Sequence, residues 1–280
     1  MYTRKPDWLK TRLPHSDALK GVATTLKEYK LNTVCESAHC PNIGTCFSKG
    51  TATFMILGDI CSRNCGFCAV DSGTDQEVDP GEPERIAEAT SRLGLKHVVV
   101  TSVTRDDLVD GGASQFAATI RAVKKLGIKI EVLIPDFRGD KDALMEVIEA
   151  TPDVLNHNVE TVPRMYDIVR PEASYRTSLK VLEMAKELNP EILTKSGLMV
   201  GVGEEDDELF EVFGDLREVG CDILTVGQYL RPSKKHIEVK RFVTPERFNE
   251  YGDEAKKMGF KFVASSPLVR SSFEAGSIFI

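Results

Sequence analysis

Three cysteines lie within eight residues in the stretch CSRNCGFC, as Cys61, Cys65 and Cys68. Thiolates at these intervals can come from one curled loop and occupy three corners of a cubane iron–sulfur cluster, which leaves one iron without a protein ligand. An open iron can bind a substrate. A closed zinc site needs four ligands, and this loop contains no nearby histidine. The spacing therefore favours an iron–sulfur cluster, with a zinc knuckle as the alternative.

A second set of three cysteines precedes the first, as Cys35, Cys40 and Cys46 in CESAHCPNIGTC. His39 could complete a Cys3His zinc site, but it adjoins Cys40, so two adjacent side chains would have to converge on one ion. In a reducing cytosol, six cysteines in two tight clusters indicate metal binding rather than disulfides. The seventh cysteine, Cys221, has no cysteine partner nearby and is interpreted as a small buried residue.

Composition limits the classes of protein that need to be considered. The chain has 280 residues, of which 41% are hydrophobic and 28% charged, and a net charge of -7. This is enough for one large globular domain, and the acidic balance argues against general binding to nucleic acids or anionic membranes. The sequence has no apolar run of about 18 residues and no secretory signal at its start. We therefore expect a soluble, cytoplasmic protein.

The elements that must position the cysteines alternate along the chain. Six apolar or β-branched runs predict strands at residues 53–60, 97–103, 129–136, 154–160, 193–201 and 223–229. Apolar residues at three- and four-residue spacing predict helices between them, at 82–94, 114–127, 142–151, 174–189 and 207–220. Alternation of this kind indicates an α/β fold with a parallel sheet, either a partial (β/α)6 barrel or an open doubly wound sheet. A further strand is predicted at 260–267.

The first cysteine set occupies a functional position in either fold. Residues at the carboxyl ends of parallel strands line the active face of barrels and open sheets alike. Cys61 follows the first predicted strand at once. The thiols are therefore expected where catalysis takes place.

A Cx3Cx2C loop after the first strand of a partial barrel resembles the radical S-adenosylmethionine superfamily. The resemblance implies that S-adenosylmethionine (SAM) is the missing ligand, bound to the open iron through its amino and carboxylate groups. An electron from the reduced cluster would then cleave it to methionine and a 5′-deoxyadenosyl radical.

Further SAM contacts are implied at three places. Asp110, Gly111 and Gly112 match a Gly-rich segment that contacts the methionine amino group in this superfamily; the alternative is an ordinary turn with a helix start at Ser114. Glu160 could accept hydrogen bonds from the ribose hydroxyls, or be a solvated loop carboxylate. The segment GLMVGVGEED matches a pattern found near the adenine, and fits a nucleotide-binding GxGxxG less well. Its residues in register are Gly197, Met199, Gly201 and Glu204.

Both cysteine sets together, with TSVTRDDLVDGGA, NHNVETV and RSSF, resemble the lipoyl synthase family from KPDWLK onward. The resemblance implies an auxiliary 4Fe-4S cluster on Cys35, Cys40 and Cys46, with Ser272 of Arg270-Ser271-Ser272-Phe273 as fourth ligand. Phe273 replaces the family's usual tyrosine, and Phe47 its usual tryptophan. The implied organisation is an N-terminal extension carrying the auxiliary cysteines (1–52), a partial radical SAM barrel (53–260), and a last strand with a C-terminal tail closing over the barrel (261–280).

The implied reaction replaces hydrogens on carbons 6 and 8 of a protein-bound octanoyl chain with sulfur from the auxiliary cluster, which is consumed. The substrate carrier would be an octanoylated lipoyl domain or the glycine cleavage H protein. A low-potential electron donor and an iron–sulfur carrier would also be needed, and the enzyme itself is expected to be a monomer.

Other assignments and functions stay open from the sequence. The basic segment 231–241 could meet an acidic carrier or be a solvated loop. Arg170 and Arg231 could hold the methionine carboxylate or the amide of the lipoyl arm. A biotin synthase-like enzyme would share the first cluster but lack the second cysteine set and RSSF. A ferredoxin-like or zinc-stabilised binding module predicts sites fully capped by cysteine, which sets of three do not provide.

Overall fold

The computed structural model describes residues 5–10, 17–48, 52–74, 76–273 and 275–279. The predicted N-terminal extension, residues 1–52, therefore lies partly outside the described residues. These described residues include ten short strands. They are β1 Asn32–Thr33, β2 Thr53–Ile56, β3 Ile60–Cys61, β4 Asp71–Ser72, β5 His97–Ser102, β6 Lys129–Leu133, β7 Val154–Asn156, β8 Leu193–Val200, β9 Ile223–Gln228 and β10 Phe262–Ser265.

Eight of these strands form one sheet, in the order β1-β2-β5-β6-β7-β8-β9-β10. The pair β1 and β2 is antiparallel, and every later pair is parallel. A doubly wound sheet would reverse its strand order at a switch point. The order here follows the chain without reversal, so right-handed crossovers put successive helices on the same face and curl the sheet. The fold is a partial barrel, as the sequence predicted, and the doubly wound alternative is wrong.

Helices cover the outer face of the sheet, with α4 beside α5, α5 beside α6 and α6 beside α8. The helices are α1 Asp17–Glu28, α2 Val34–Ser37, α3 Ile43–Ser48, α4 Glu82–Arg92, α5 Ala113–Lys124, α6 Lys141–Glu149, α7 Tyr166–Val169, α8 Tyr175–Leu188, α9 Asp206–Glu218 and α10 Pro245–Lys257. Short 3-10 turns add Asp7–Leu9, Phe137–Gly139, Pro163–Met165 and Ala275–Phe279. None of the described helices is long and apolar enough to cross a membrane.

The apolar core lies between the sheet and these helices. Val98 and Val100 of β5 are buried against Phe116 and Ile120 of α5 in one cluster. A second cluster joins β8 and β9 to α9 and α10 and includes Phe213, which is fully buried. Burial of these faces leaves the carboxyl ends of the strands free to carry polar loops.

The observed strands are shorter than the sequence predicted, and the first shows why. A strand was expected at 53–60, but β2 ends at Ile56 because Leu57 and Gly58 have φ values of 68° and 97°. This left-handed pair breaks the extended chain and turns it into the cysteine loop.

The C-terminal tail turns back across the sheet after β10. Ser266 N donates to Val226 O, Gln228 N donates to Pro267 O, and Gly227 would bring a Cβ to 2.1 Å from Val269 O. Asn42 Nδ2 donates to Leu268 O at 2.7 Å, which ties the tail to the N-terminal cysteine segment. The tail and the N-terminal cysteine segment are thus in direct contact.

Candidate functional site

The loop that carries Cys61, Cys65 and Cys68 is closed at its base by a two-stranded parallel ladder, β3 with β4. Gly73 N donates to Cys61 O at 2.8 Å, and Cys68 N donates to Cys65 O at 3.1 Å. The three thiols therefore lie on one curled segment at the carboxyl end of β2, where the sequence placed them.

Neighbouring strand ends hold this loop from both sides. Ser62 N donates to Thr104 O at 2.9 Å, and Thr104 N donates to Cys61 Sγ at 3.3 Å, just after β5. On the other side, Gly66 N donates to Val169 O at 3.0 Å, and His236 Nε2 lies 2.8 Å from Cys68 O. The cysteine loop is thus anchored by segments far away in sequence.

Arg63, between the first two cysteines, makes the most extensive of these contacts. Its guanidinium donates to Asp106 at 2.7 and 3.0 Å and to Asp136 at 2.8 and 2.7 Å, and Arg63 is only 7% exposed. Sequence reasoning missed this triad because both partners are far away in the chain. The only signal was an arginine inside a cysteine motif, a position that a solvated side chain could equally occupy.

The thiols of the loop are partly buried and free. Burial raises the pKa of Cys65 to about 12, with an opposing effect from Arg170 and further increases from Cys68, Glu160 and Cys61. Burial likewise raises the pKa of Cys68 to about 11. The thiolates that ligate iron would need added positive charge here, which iron ions provide. The donor set of three mutually interacting thiols fits the 4Fe-4S cluster that the sequence predicted.

Asp110 and its two glycines form the start of a helix. Asp110 accepts hydrogen bonds from Gly112 N and Ser114 N, both at 2.9 Å, and so caps α5. Gly112 has a φ of 90°, and a Cβ there would lie 2.2 Å from Leu57 Cδ1. The carboxylate thus has a structural role that the sequence offered as the alternative. A contact to SAM from this segment stays a prediction.

Glu160 lies at the centre of the strand ends, beside the cysteine loop. It has a φ of 65°, forms an isolated bridge with Leu198, and accepts a hydrogen bond from Asn158 Nδ2 at 2.9 Å. Burial raises its pKa, although the charges of Arg170 and Arg270 and the Asn158 hydrogen bond act in the opposite direction. Glu160 is therefore a partly buried carboxylate beside the cysteine loop rather than a solvated loop carboxylate, and its contact with the ribose stays a prediction.

Gly197 borders the same space. A Cβ at Gly197 would lie 2.4 Å from Thr225 Oγ1, 2.9 Å from Asn158 Oδ1 and 3.1 Å from Ser271 Oγ. Asn158 Oδ1 is buried and has no protein partner among the described residues. These polar atoms surround a position that only glycine can occupy, and we call them the Gly197 cradle. The free acceptor Asn158 Oδ1 is suited to a bound polar cofactor such as SAM.

The end of β8 is organised by Glu204. Its carboxylate accepts hydrogen bonds from Gly201 N, Val202 N and Gly203 N at 2.8, 2.9 and 3.0 Å, and from Arg241 Nη2 at 3.1 Å. Glu204 is therefore occupied in shaping this loop. Met199 lies within β8, and its backbone N donates to Glu160 O at 2.9 Å. Its place near the adenine stays a prediction.

The two arginines singled out in the sequence differ in position. Arg170 Nη1 donates to Asn158 O at 2.9 Å, and its charge acts on Cys65 and Glu160. Arg231 instead donates to His236 O at 2.8 Å and to Lys234 O at 2.6 Å. Arg170 is thus brought to the site, whereas Arg231 shapes the loop whose His236 reaches Cys68.

The second cysteine set lies on the N-terminal segment. Cys35 is in α2, Cys46 is in α3, and Cys40 N donates to Cys35 O at 3.0 Å between them. Burial raises the pKa of Cys35, partly opposed by Thr53 of β2, and Cys40 adds to the increase. His39 has a φ of 49° and is exposed. Among the described residues, no three His, Cys, Asp or Glu side chains are placed to hold a single metal ion.

Comparison with known proteins identifies the family. The Radical SAM superfamily model matches residues 55–216. A lipoyl synthase from Caldanaerobacter subterraneus is 60% identical over 276 residues, 98% of this chain and 97% of its own. Those of Alkaliphilus metalliredigens and Rubrobacter xylanophilus are 58% and 55% identical, over 97% of this chain and 94% and 85% of theirs. The chain belongs to the lipoyl synthase family. It is thus a radical SAM enzyme, which uses a 4Fe-4S cluster and SAM.

Solved structures support the fold. The structure of Streptococcus suis SuiB bound to S-adenosylmethionine matches with a TM-score of 0.61 and 15% identity, over 80% of this chain and 54% of SuiB. Methylornithine synthase matches with a TM-score of 0.53 and 14% identity, over 92% of this chain and 81% of its own. At these identities the likeness concerns the barrel alone.

Proposed function

We propose that this lipoyl synthase inserts two sulfur atoms, at carbons 6 and 8, into an octanoyl group attached to a lysine of a carrier protein. The observation that carries the proposal is the presence of two cysteine triplets and the RSS segment on a chain in which Asn42 joins the N-terminal cysteine segment to the tail. A single radical SAM cluster would not need the second triplet. The unactivated C–H bonds of an octanoyl chain resist acids and bases, which is why a radical is required.

The residues of the barrel mouth would hold the cofactors. Cys61, Cys65 and Cys68 would ligate the radical SAM cluster, which supplies when bound the electron that cleaves SAM. Glu160 lies within electrostatic reach of Cys65, and Glu160 together with the Gly197 cradle would hold polar groups of SAM. The positive charge of Arg170 acts on Cys65 and Glu160 and opposes the rise in the pKa of both groups. The tail lies against the end of β9, where it would exclude water from this side of the site.

The second cluster would serve as the sulfur substrate. Cys35, Cys40 and Cys46 would ligate it, with Ser272 as the fourth ligand. Asn42 joins the cysteine segment to the tail, and Arg270 lies within electrostatic reach of Cys40. A hard oxygen ligand binds iron less well than a thiolate and offers a point of release when sulfide is withdrawn.

The carrier protein would be a lipoyl domain or the glycine cleavage H protein, served by a low-potential electron donor and an iron–sulfur carrier. The basic segment 231–241 offers less free charge for docking than its sequence implied. Arg241 pairs with Glu204 and Asp206, and Arg231 binds carbonyls of its own loop. Lys240 lies 3.8 Å from Glu238, so Lys234 and Lys235 remain as the side chains that could meet an acidic carrier.

The experiment is conversion of an octanoyl-lysine peptide under anaerobic conditions with SAM and a reductant, followed by mass spectrometry of the peptide and of 5′-deoxyadenosine. We expect a product with two added sulfur atoms. Replacement of Cys61, Cys65 and Cys68 with Ala should leave roughly half the iron and abolish 5′-deoxyadenosine. Formation of 5′-deoxyadenosine by the parent protein without any sulfur in the peptide would favour a different radical SAM enzyme. Cleavage of SAM by the triple variant would refute the cluster assignment.

A further inference from the structure

The triad of Arg63, Asp106 and Asp136 joins three strand ends at one buried point. Arg63 belongs to the cysteine loop after β2, Asp106 follows β5, and Asp136 follows β6. The side chains of Arg63 and Asp136 are 6% and 3% exposed, and that of Asp106 is 17% exposed. A buried guanidinium is tolerated only when its donors are paired, and here one arginine is held by two carboxylates in forked geometry.

Asp136 has a second structural partner in a strained segment. Its Oδ1 accepts a hydrogen bond from Arg138 N at 3.0 Å, and Phe137, Arg138 and Gly139 have successive φ values of 45°, 54° and 75°. Two consecutive non-glycine residues in the left-handed region are costly unless the surroundings enforce them. Arg138 Nε also lies 3.2 Å from Asp106 Oδ1. The strained turn and both carboxylates therefore form one unit around Arg63.

The same unit reaches the cysteine loop through its backbone. Asp106 N donates to Ser62 Oγ at 3.0 Å. Next to it, Thr104 N donates to Cys61 Sγ, and Thr104 O accepts a hydrogen bond from Ser62 N. Arg63 lies one residue from Ser62 and two from each of Cys61 and Cys65. Rotation of the loop about its base would break the fork on both aspartates at once.

We propose that Asp106 and Asp136 are positioning residues that act through Arg63 to fix the cysteine loop in the geometry that binds the radical SAM cluster. The inference rests on the assignment of Cys61, Cys65 and Cys68 to that cluster, and it does not depend on which substrate receives sulfur. The carboxylates touch neither the cofactors nor the substrate in this role. Replacement of either Asp with Asn keeps the size of the side chain and removes the negative charge that pairs with Arg63.

The test uses the full chain with Cys35, Cys40 and Cys46 replaced by Ala, so that only the radical SAM site takes iron. Asp136→Asn, Asp106→Asn and Arg63→Lys are each added to it. The measurements are competition for iron with a chelator and the EPR spectrum of the reduced cluster with and without SAM. Loss of an outer-shell partner of a metal site costs roughly 10- to 100-fold in metal affinity. We expect a loss of this size, and an altered SAM-dependent EPR shift, for Asp136→Asn and Arg63→Lys.

Asp222→Asn is the matched control. Asp222 has a 6% exposed side chain and accepts hydrogen bonds from Lys186 Nζ and Thr194 N, at the amino end of β9, away from the cysteine loop. It should destabilise the fold and leave the iron affinity and EPR spectrum as in the parent. Equal iron loss in Asp222→Asn would mean a general stability effect and overturn the proposal. So would parental iron affinity and spectra in Asp136→Asn and Asp106→Asn. If Asp136→Asn does not fold, Asp106→Asn decides the question, because it keeps both hydrogen bonds between Arg63 and Asp136. Reduced iron affinity in Asp106→Asn would then support the proposal, and parental iron affinity would overturn it.

Discussion

Ser271 and Ser272 are neighbours in the chain but have different surroundings. Asn158 Nδ2 donates to Ser271 Oγ at 2.7 Å, so Ser271 is bound to the strand ends that carry Glu160. Both serines are partly exposed, and Arg270, next to Ser271 in the chain, lies within electrostatic reach of both Cys40 and Glu160. Ser271 is therefore engaged by Asn158, and Ser272 stays the predicted ligand of the auxiliary cluster.

Replacement of Ser272 with Ala should therefore separate the two activities. Sulfur insertion into an octanoyl-lysine peptide should fall by roughly 10-fold or more, while 5′-deoxyadenosine formation persists, because only the auxiliary cluster loses a ligand. Ser272→Cys should retain the cluster but slow turnover, since a thiolate releases iron less readily than a serine oxygen. Mass spectrometry of the peptide and iron analysis check both variants.

Ser271→Ala serves as the comparison for this pair. Loss of the Asn158 hydrogen bond should affect SAM cleavage and leave auxiliary iron in place. The Ser272 assignment would be wrong if Ser272→Ala kept its auxiliary iron and its normal lipoyl yield. Loss of auxiliary iron in Ser271→Ala instead would transfer the ligand role to that residue.

The position of the C-terminal tail against the sheet depends on a glycine in β9. A Cβ at Gly227 would lie 2.1 Å from Val269 O and 3.2 Å from Arg270 Nη1. The first contact involves backbone, which cannot rotate away as a side chain can. The close approach of tail to strand therefore requires glycine at this position.

Gly227→Ala should displace the tail from the barrel. We expect loss of auxiliary iron and of sulfur insertion, whereas the radical SAM cluster, held by the loop after β2, stays in place. Gly214→Ala in α9 is the control, because a Cβ there meets nothing within 4 Å and alanine favours a helix by up to about 1 kcal/mol. Iron content and thermal unfolding compare the two variants. Unchanged auxiliary iron in Gly227→Ala would show that the tail does not position that cluster.

The sequence predicted the long elements well and the local ones poorly. All five predicted helices and seven predicted strands are present, because each buries a periodic apolar face against the sheet. α10 was missed although Thr244 caps it, Pro245 begins it, and Phe248 and Tyr251 are buried at helical spacing. Charged residues between those positions hid the pattern. The two-residue strands β1, β3 and β4 depend on partners elsewhere in the chain, and no local signal marks them.

In the candidate site, too, features set by neighbouring residues were predicted, whereas contacts between distant residues were not. Cysteine spacing identified both thiol sets because ligands from one loop must be close in sequence. The contacts of Arg63 join residues 43 and 73 positions apart, so only the fold could bring them together. The role of Asp110 as a helix cap was decided in the same way, by which amides lie within its reach.

The whole molecule places two thiol sets on different parts of one barrel. The radical SAM thiols lie on a loop at the carboxyl end of β2 and are anchored by segments after β5 and β7. The other set lies before β2, where Asn42 joins the tail and Cys35 packs near Thr53. The described hydrogen bonds that anchor the two thiol sets involve different residues. We therefore expect that the predicted auxiliary site can be removed without loss of the radical site.

Replacement of Cys35, Cys40 and Cys46 with Ala tests this independence. The variant should bind roughly half the iron of the parent protein and still form 5′-deoxyadenosine from SAM, because the loop after β2 and its anchors are unchanged. It should insert no sulfur into an octanoyl-lysine peptide, since the sulfur source is gone. Anaerobic iron and sulfide analysis, with mass spectrometry of both products, gives all three quantities from one preparation. Lipoyl product from this variant without added sulfide would mean that the sulfur comes from elsewhere and that the second thiol set has another role.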